Sequence, residues 1–182
     1  PDEIIGAVFE ESVNVVLDVL MADPDARWAL IFDKREYGAL ETFLQHPNGM
    51  PASDVQALPA DPVGKSGIYD YCVPPIAYGL FPRYFRVYMR ELGLLGLEEA
   101  VRKVTSLPAL QVLGLRDRGV LRAGAYADLV VFDPLTIREE ADILSPTRPP
   151  TGISYVFVNG TMVYERGQHT GLRAGRVLRR AQ

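Results

Sequence analysis

From Glu10 to Met21 the apolar side chains Val13, Val16, Leu17, Leu20 and Met21 return at helical spacing, and Asp23-Pro24 ends the run. That pattern predicts an amphipathic helix. Trp28 to Phe32 is a compact apolar run suited to a buried strand, after which Tyr37, Leu40, Phe43 and Leu44 resume helical spacing until His46-Pro47. A second short strand is expected from about Met50 to Ser53. Helix, strand, helix, strand is the order that parallel βα units produce.

From Val55 to Pro75 the residues are Pro, Gly, Asp and aromatics without period, which reads as a long loop, the kind that serves as a lid or wall in an enzyme. Phe81, Tyr84, Phe85, Tyr88, Met89 and Leu92 then form a helical stripe that reads as core. Pro82 sits where a first-turn proline is tolerated, and Gly93 lies near the end. A further helix is expected from Leu97, with Glu98–Arg102 and Glu99–Lys103 as pairs four residues apart in the favourable order. Pro108 opens a last short helix that Gly114 should end.

At Gly114 to Pro134 the chain changes character. Gly124 marks a turn, and Ala127 to Asp133 is a short apolar run closed by Asp133-Pro134, which reads as a buried strand. Ser154 to Val158 and Thr161 to Tyr164 flank Asn159-Gly160, the strongest short hairpin cue, so the last third is mostly β. The tail arginines Arg173, Arg176, Arg179 and Arg180 read as a surface run.

With 48% hydrophobic and 23% charged residues over 182 positions, the chain can bury a core as one domain or one and a fraction. Its net charge of −4 argues against nucleic acid or an anionic membrane as partner. One cysteine, Cys72, excludes an internal disulfide framework and fits the cytoplasm. No apolar stretch approaches the roughly 20 residues that cross a bilayer.

The first candidate for chemistry is Asp54, because Ser53-Asp54 follows directly on an expected parallel strand, where barrel enzymes present catalytic groups. A Ser-Asp pair also caps turns and helices. Of the two histidines, His46 reads as the end of a helix and His169 as a surface residue, and Cys72 has no neighbouring histidine to activate it. These three do not form a metal cluster.

The ordered set Leu44-Gln45-His46-Pro47, Ser53-Asp54, Tyr78-Gly79, Phe81-Pro82-Arg83, Leu97 to Lys103, Thr105-Ser106-Leu107-Pro108, Arg118 to Pro134, Thr170-Gly171 and Gly175 to Arg180 resembles the D-aminoacylases, or N-acyl-D-amino-acid deacylases, of the amidohydrolase superfamily. The resemblance implies an α/β fold: the C-terminal part of a (β/α)8 TIM-like barrel followed by part of a small β-sandwich domain. Residues 1–114 would hold the last barrel strands with closing helices, and 115–182 the C-terminal part of the composite β-domain. It further implies a hydrolase that cleaves the amide of N-acyl-D-amino acids with zinc-activated water. Asp54 would handle the proton of that water, and Arg83 could hold a substrate anion.

Two departures bear on the substrate. Asp54 is followed by Val55 where the family has glycine, and Pro74-Pro75-Ile76 stands where relatives commonly carry His-Pro-Arg, so a basic side chain is lost. The family's early His-x-His and its other zinc ligands are absent, and a whole barrel takes about 250 residues. The chain therefore reads as a C-terminal portion, inactive alone and prone to self-association through open strand edges. A cyclic-amide hydrolase of the dihydroorotase or hydantoinase type, or a non-catalytic β-rich interaction module, are the other readings.

Overall fold

In the computed structural model residues 9–23, 37–55 and 74–179 are described, and two compact units are distinguished, 1–34 and 35–182. Of the first, the structure describes helix α1 (Phe9–Ala22), which the sequence predicts. The expected strand at 28–32, Cys72 and most of the 55–75 loop lie outside the described residues.

The second unit opens with α2 (Tyr37–Gln45), whose Leu44 is buried. After Pro74-Pro75, α3 runs over Ile76–Arg83 and passes directly into wider π-type turns over Tyr84–Glu91. Pro82 is thus inside a helix and not in its first turn; the helix start is set earlier, at Pro75. Past the missing amide of Pro82 the ladder widens, as in the bond from the Leu92 amide to the Val87 carbonyl at 2.9 Å. Helix α4 (Leu97–Val104) follows, and a short π-type turn over Pro108–Val112 ends before Gly114. No helix among the described residues is long and apolar enough to cross a membrane.

Four strands, β1 (Leu129–Phe132), β2 (Ile153–Val158), β3 (Thr161–Glu165) and β4 (Gln168–His169), form one antiparallel sheet in chain order. Asn159 and Gly160, at φ 50° and 80°, make the tight turn that matches strand twist and sets the pair Val158 and Thr161. Arg166-Gly167, at φ 43° and 95°, repeats the device between β3 and β4, a turn with no asparagine to announce it.

Two expectations differ from what is found. Residues 50–53 are not a strand, because none of the described strands lies alongside to share a ladder. β1 is not buried: it pairs on one side only, and Val130 and Val131 are 54% and 47% exposed. Among the described strands all pairing is antiparallel.

The core is built from Leu44, Tyr84, Phe85, Leu95, Ala100 and Ile137, with Phe132 and Ile153 packed against it. Phe85 meets Tyr84 edge-on at 5.3 Å and Phe132 at 5.0 Å, so the helical stripe and the sheet share one apolar interior. Phe81 and Leu92, at the ends of that stripe, stay exposed.

Candidate functional site

Asp54 lies on the irregular segment that follows α2, and its side chain is exposed. No described residue bonds its carboxylate. What is fixed is the turn before it. The chain leaves α2 at His46, whose Nδ1 accepts the Asn48 amide at 3.1 Å, while the Gly49 amide donates to the His46 carbonyl at 2.9 Å. Gly49 is required for steric reasons, since a Cβ there would sit 1.7 Å from the Phe43 carbonyl oxygen.

The outer wall of this turn is α4. Gly96 stands at its N-cap, Glu98 and Glu99 sit in its first turn and Arg102 and Lys103 in its last, the charge order that suits a helix dipole. Lys103 is fully buried, and its Nζ donates to the His46 and Gly49 carbonyls at 2.5 and 3.0 Å. Arg102 donates from Nη2 to the Pro47 carbonyl at 2.8 Å. The Glu98–Arg102 pair is not made: Arg102 instead grips Glu99, one turn back, at 2.6 and 2.8 Å.

Glu99 completes the cluster, its carboxylate lying 3.4 Å from the Lys103 ammonium. The hydrogen bond from Arg102 holds its carboxyl at about 2, against an ordinary 4.5. A carboxyl so lowered stabilises the fold while ionised, and that contribution is lost as pH falls from about 4.5 to about 2. Glu99→Gln is therefore expected to flatten the decline of the thermal midpoint over that window; equal slopes for variant and parent would rule the effect out. Burial, with Glu99 adding to it, also pushes the Tyr84 hydroxyl up to about 12, and that hydroxyl donates to the Ala100 carbonyl at 3.3 Å.

Arg83 is half exposed and donates from Nη1 to Glu139 at 3.2 Å. Arg86 binds the same carboxylate, with its Nε at 2.8 Å, and also binds Glu91. Burial raises the Glu139 carboxyl, but the hydrogen bonds from Arg86, a backbone hydrogen bond and the positive charges of Arg86 and Arg83 together leave it below the ordinary range. Asp54 and Arg83 make no bond to each other among the described residues. An apolar cavity of about 670 Å³ lies beside Phe85, Val104, Val130, Phe132 and Ile153, and neither Asp54 nor Arg83 lines it.

The stretch from Arg118 to Pro134 is tied to the hairpin. Arg118 is buried, pairs with Asp128, donates to Asn159 Oδ1 at 2.7 Å and lies 4.2 Å over the Tyr126 ring. The Asn159 backbone amide in turn donates to Asp128 Oδ1 at 2.7 Å, and its side-chain Nδ2 donates to the Ala174 carbonyl at 2.6 Å. Arg176, read as a loose surface residue, sits 5.2 Å from the same ring. His169 is exposed on β4, where its Nδ1 accepts the Gly171 amide at 2.9 Å.

A family model described as "Amidohydrolase family" matches residues 24–164. The chain belongs to this family. It is similar to the D-aminoacylase of Alcaligenes xylosoxydans xylosoxydans, with 44% identity over 156 residues that cover 85% of this chain and 31% of that enzyme. The chain thus spans about a third of the length of this curated relative. A crystal structure of D-aminoacylase superposes with a TM-score of 0.56 at 48% identity, covering 58% of this chain and 22% of the other. The N-acyl-D-glutamate deacylase of Bordetella bronchiseptica, solved with zinc and a phosphonate mimic of its tetrahedral intermediate, gives 0.53 at 46% identity over the same shares.

The α/β amidohydrolase fold accounts for the helices and the sheet, and a divalent metal is the natural question for a chain of this family. Among the described residues no group of three or more His, Cys, Asp or Glu could hold one. The carboxylates of Glu99 and Glu139 are engaged by arginines. These residues do not fit a metal centre.

Proposed function

We propose that this chain contributes to an enzyme that hydrolyses the amide bond of N-acyl-D-amino acids. The observation that carries this reading is the 44% identity to D-aminoacylase across 85% of the chain. Residues 1–114 would belong to its (β/α)8 barrel and 115–182 to its small β-domain. Asp54 is the acid–base group: its carboxylate takes the proton of the attacking water and returns it to the leaving amine. Its exposure supports that role, because it leaves the carboxylate open to a substrate.

Arg83 would meet the substrate carboxylate with the guanidinium edge not used on Glu139. Deacylases of this kind are metal enzymes when solved with zinc, as the N-acyl-D-glutamate deacylase was. Any such metal would be held outside the described residues, and no step here is routed through it.

The test is a substrate panel given to the enzyme that carries this chain. N-acetyl-D-amino acids are expected to be hydrolysed, and their L-enantiomers and cyclic ureides to be left intact. Preferential turnover of cyclic ureides would overturn the reading in favour of a hydantoinase-type reaction. The 182-residue chain by itself is expected to bind no catalytic zinc, and to stain with an apolar dye through residues such as Val130, Val131 and Leu144. One tightly bound zinc per chain by elemental analysis would contradict the first of these.

A further inference from the structure

A lysine with its side chain wholly out of solvent is unusual, and Lys103 is the only fully buried large side chain among the described residues. A buried ammonium is costly unless its donors are met, and a methionine or leucine of like volume would fill the space at less cost. What the ammonium supplies and a methyl group cannot is direction. Its bonds go to the carbonyls of His46 and Gly49, the two ends of the turn, and Arg102 takes the carbonyl of Pro47 between them. Three backbone oxygens of one turn are therefore read by two adjacent side chains of α4, and Glu99 holds both cations in place.

The turn is rigid from the other side as well. Leu44 anchors the end of α2 in the core, and the Cβ-free Gly49 lies against the Phe43 carbonyl. The chain departs from Gly49 in a set direction and reaches Asp54 through Met50, Pro51, Ala52 and Ser53, with Pro51 limiting the backbone on the way. We propose that Lys103, assisted by Arg102, is the positioning residue for Asp54: by clamping residues 46–49 to α4 it fixes the point from which the acid–base carboxylate is delivered to the substrate. This rests on the role assigned to Asp54 above, and it places a control of the reaction on a helix that carries no catalytic group. Lys103 does not touch substrate and acts only through the backbone of the turn.

The test uses Lys103→Met, which keeps the stem and removes the ammonium, together with Arg102→Gln at the surface, which removes the Pro47 contact without opening the core. In the enzyme that carries this chain, Lys103→Met is expected to lower kcat for an N-acetyl-D-amino acid by on the order of 10- to 100-fold, the usual consequence of displacing a reacting group by about an ångström. KM should change by less than about threefold, because ground-state binding is not what the clamp supplies. Arg102→Gln should move kcat in the same direction by less.

Hydrogen exchange on the same enzyme gives a readout independent of turnover. The amides of Met50 and Ala52 to Val55 should exchange faster in Lys103→Met while those of α4 keep their protection. Unchanged exchange at 50–55 in a folded Lys103→Met, or acceleration spread evenly through α4 and Tyr84–Glu91 with Arg102→Gln silent, would overturn the clamp. Asp54→Asn in parallel separates the two ideas. Full activity in that variant removes the acid–base reading whatever Lys103 does, whereas an inactive Asp54→Asn beside a fully active, folded Lys103→Met refutes the positioning role alone.

Discussion

Replacing Asp54 by asparagine in the enzyme that carries this chain is expected, on the acid–base role proposed above, to reduce turnover of an N-acyl-D-amino acid by roughly two to four decades. The exchange is close to isosteric, but an amide neither takes a proton from water nor returns one to an amine. Stability should be almost unaffected, because the side chain is exposed and no described residue bonds it. The expected signature is a thermal midpoint within a degree or so of the parent, on the scale of a surface change, beside a large fall in kcat. If the variant turned over substrate at the parent's rate, Asp54 would have to be removed from the mechanism.

The second large effect is on stability. At Gly152, φ is +82°, and a Cβ would lie 2.4 and 2.5 Å from Cα and N of Ile137, a core residue that is 3% exposed. The Gly152 carbonyl also accepts the Asp133 amide at 2.9 Å, so the backbone cannot retreat without releasing the end of β1. Gly152→Ala thus combines overpacking with a left-handed non-glycine residue, together about 2–5 kcal/mol. That is a large part of the roughly 5–15 kcal/mol that a domain has in total. Gly160→Ala is the control: it has a similar φ of +80° with nothing within 4 Å of the added carbon, and should lose only about 1 kcal/mol. Urea unfolding of both variants checks the contrast, and equal midpoints would refute the close-approach argument.

Much of this architecture is legible without coordinates where the determinants are local. The apolar spacing in α1, α2 and α4, and the Asn159-Gly160 turn between β2 and β3, are properties of a few consecutive residues. The ordered run of motifs that marks the family is legible too, because order along the chain needs no coordinates. What stayed hidden depends on partners far along the chain. A strand at 50–53 could not be refused by its own composition, since a strand exists only beside another. The wider turns at Tyr84–Glu91 leave the aromatic stripe nearly as a regular helix would.

Lys103 is the most instructive case. Its charge suggests a surface pair with Glu99, yet Ala100, Lys103 and Leu107 recur at the spacing of a buried face, and that spacing was the available signal. Its acceptors at 46 and 49 are more than fifty positions away in sequence. Glu139 is the same kind of omission: a glutamate in a charged run, taken from solvent by arginines on a distant helix. As for the site, Asp54 was marked by an expected strand at 50–53 that the structure does not contain as well as by family resemblance, Arg83 by resemblance alone, and the geometry adds contacts from α4 to the turn at 46–49 that neither motif contains.

Asn159 does more than turn the chain. Tables of hairpin preference treat Asn-Gly and Asp-Gly as near equivalents. Here an aspartate would keep the turn and the bond from Arg118, but it would set an acceptor against the Ala174 carbonyl that the Asn159 amide now holds. What asparagine adds over aspartate at this turn is therefore the hold on the tail at Ala174.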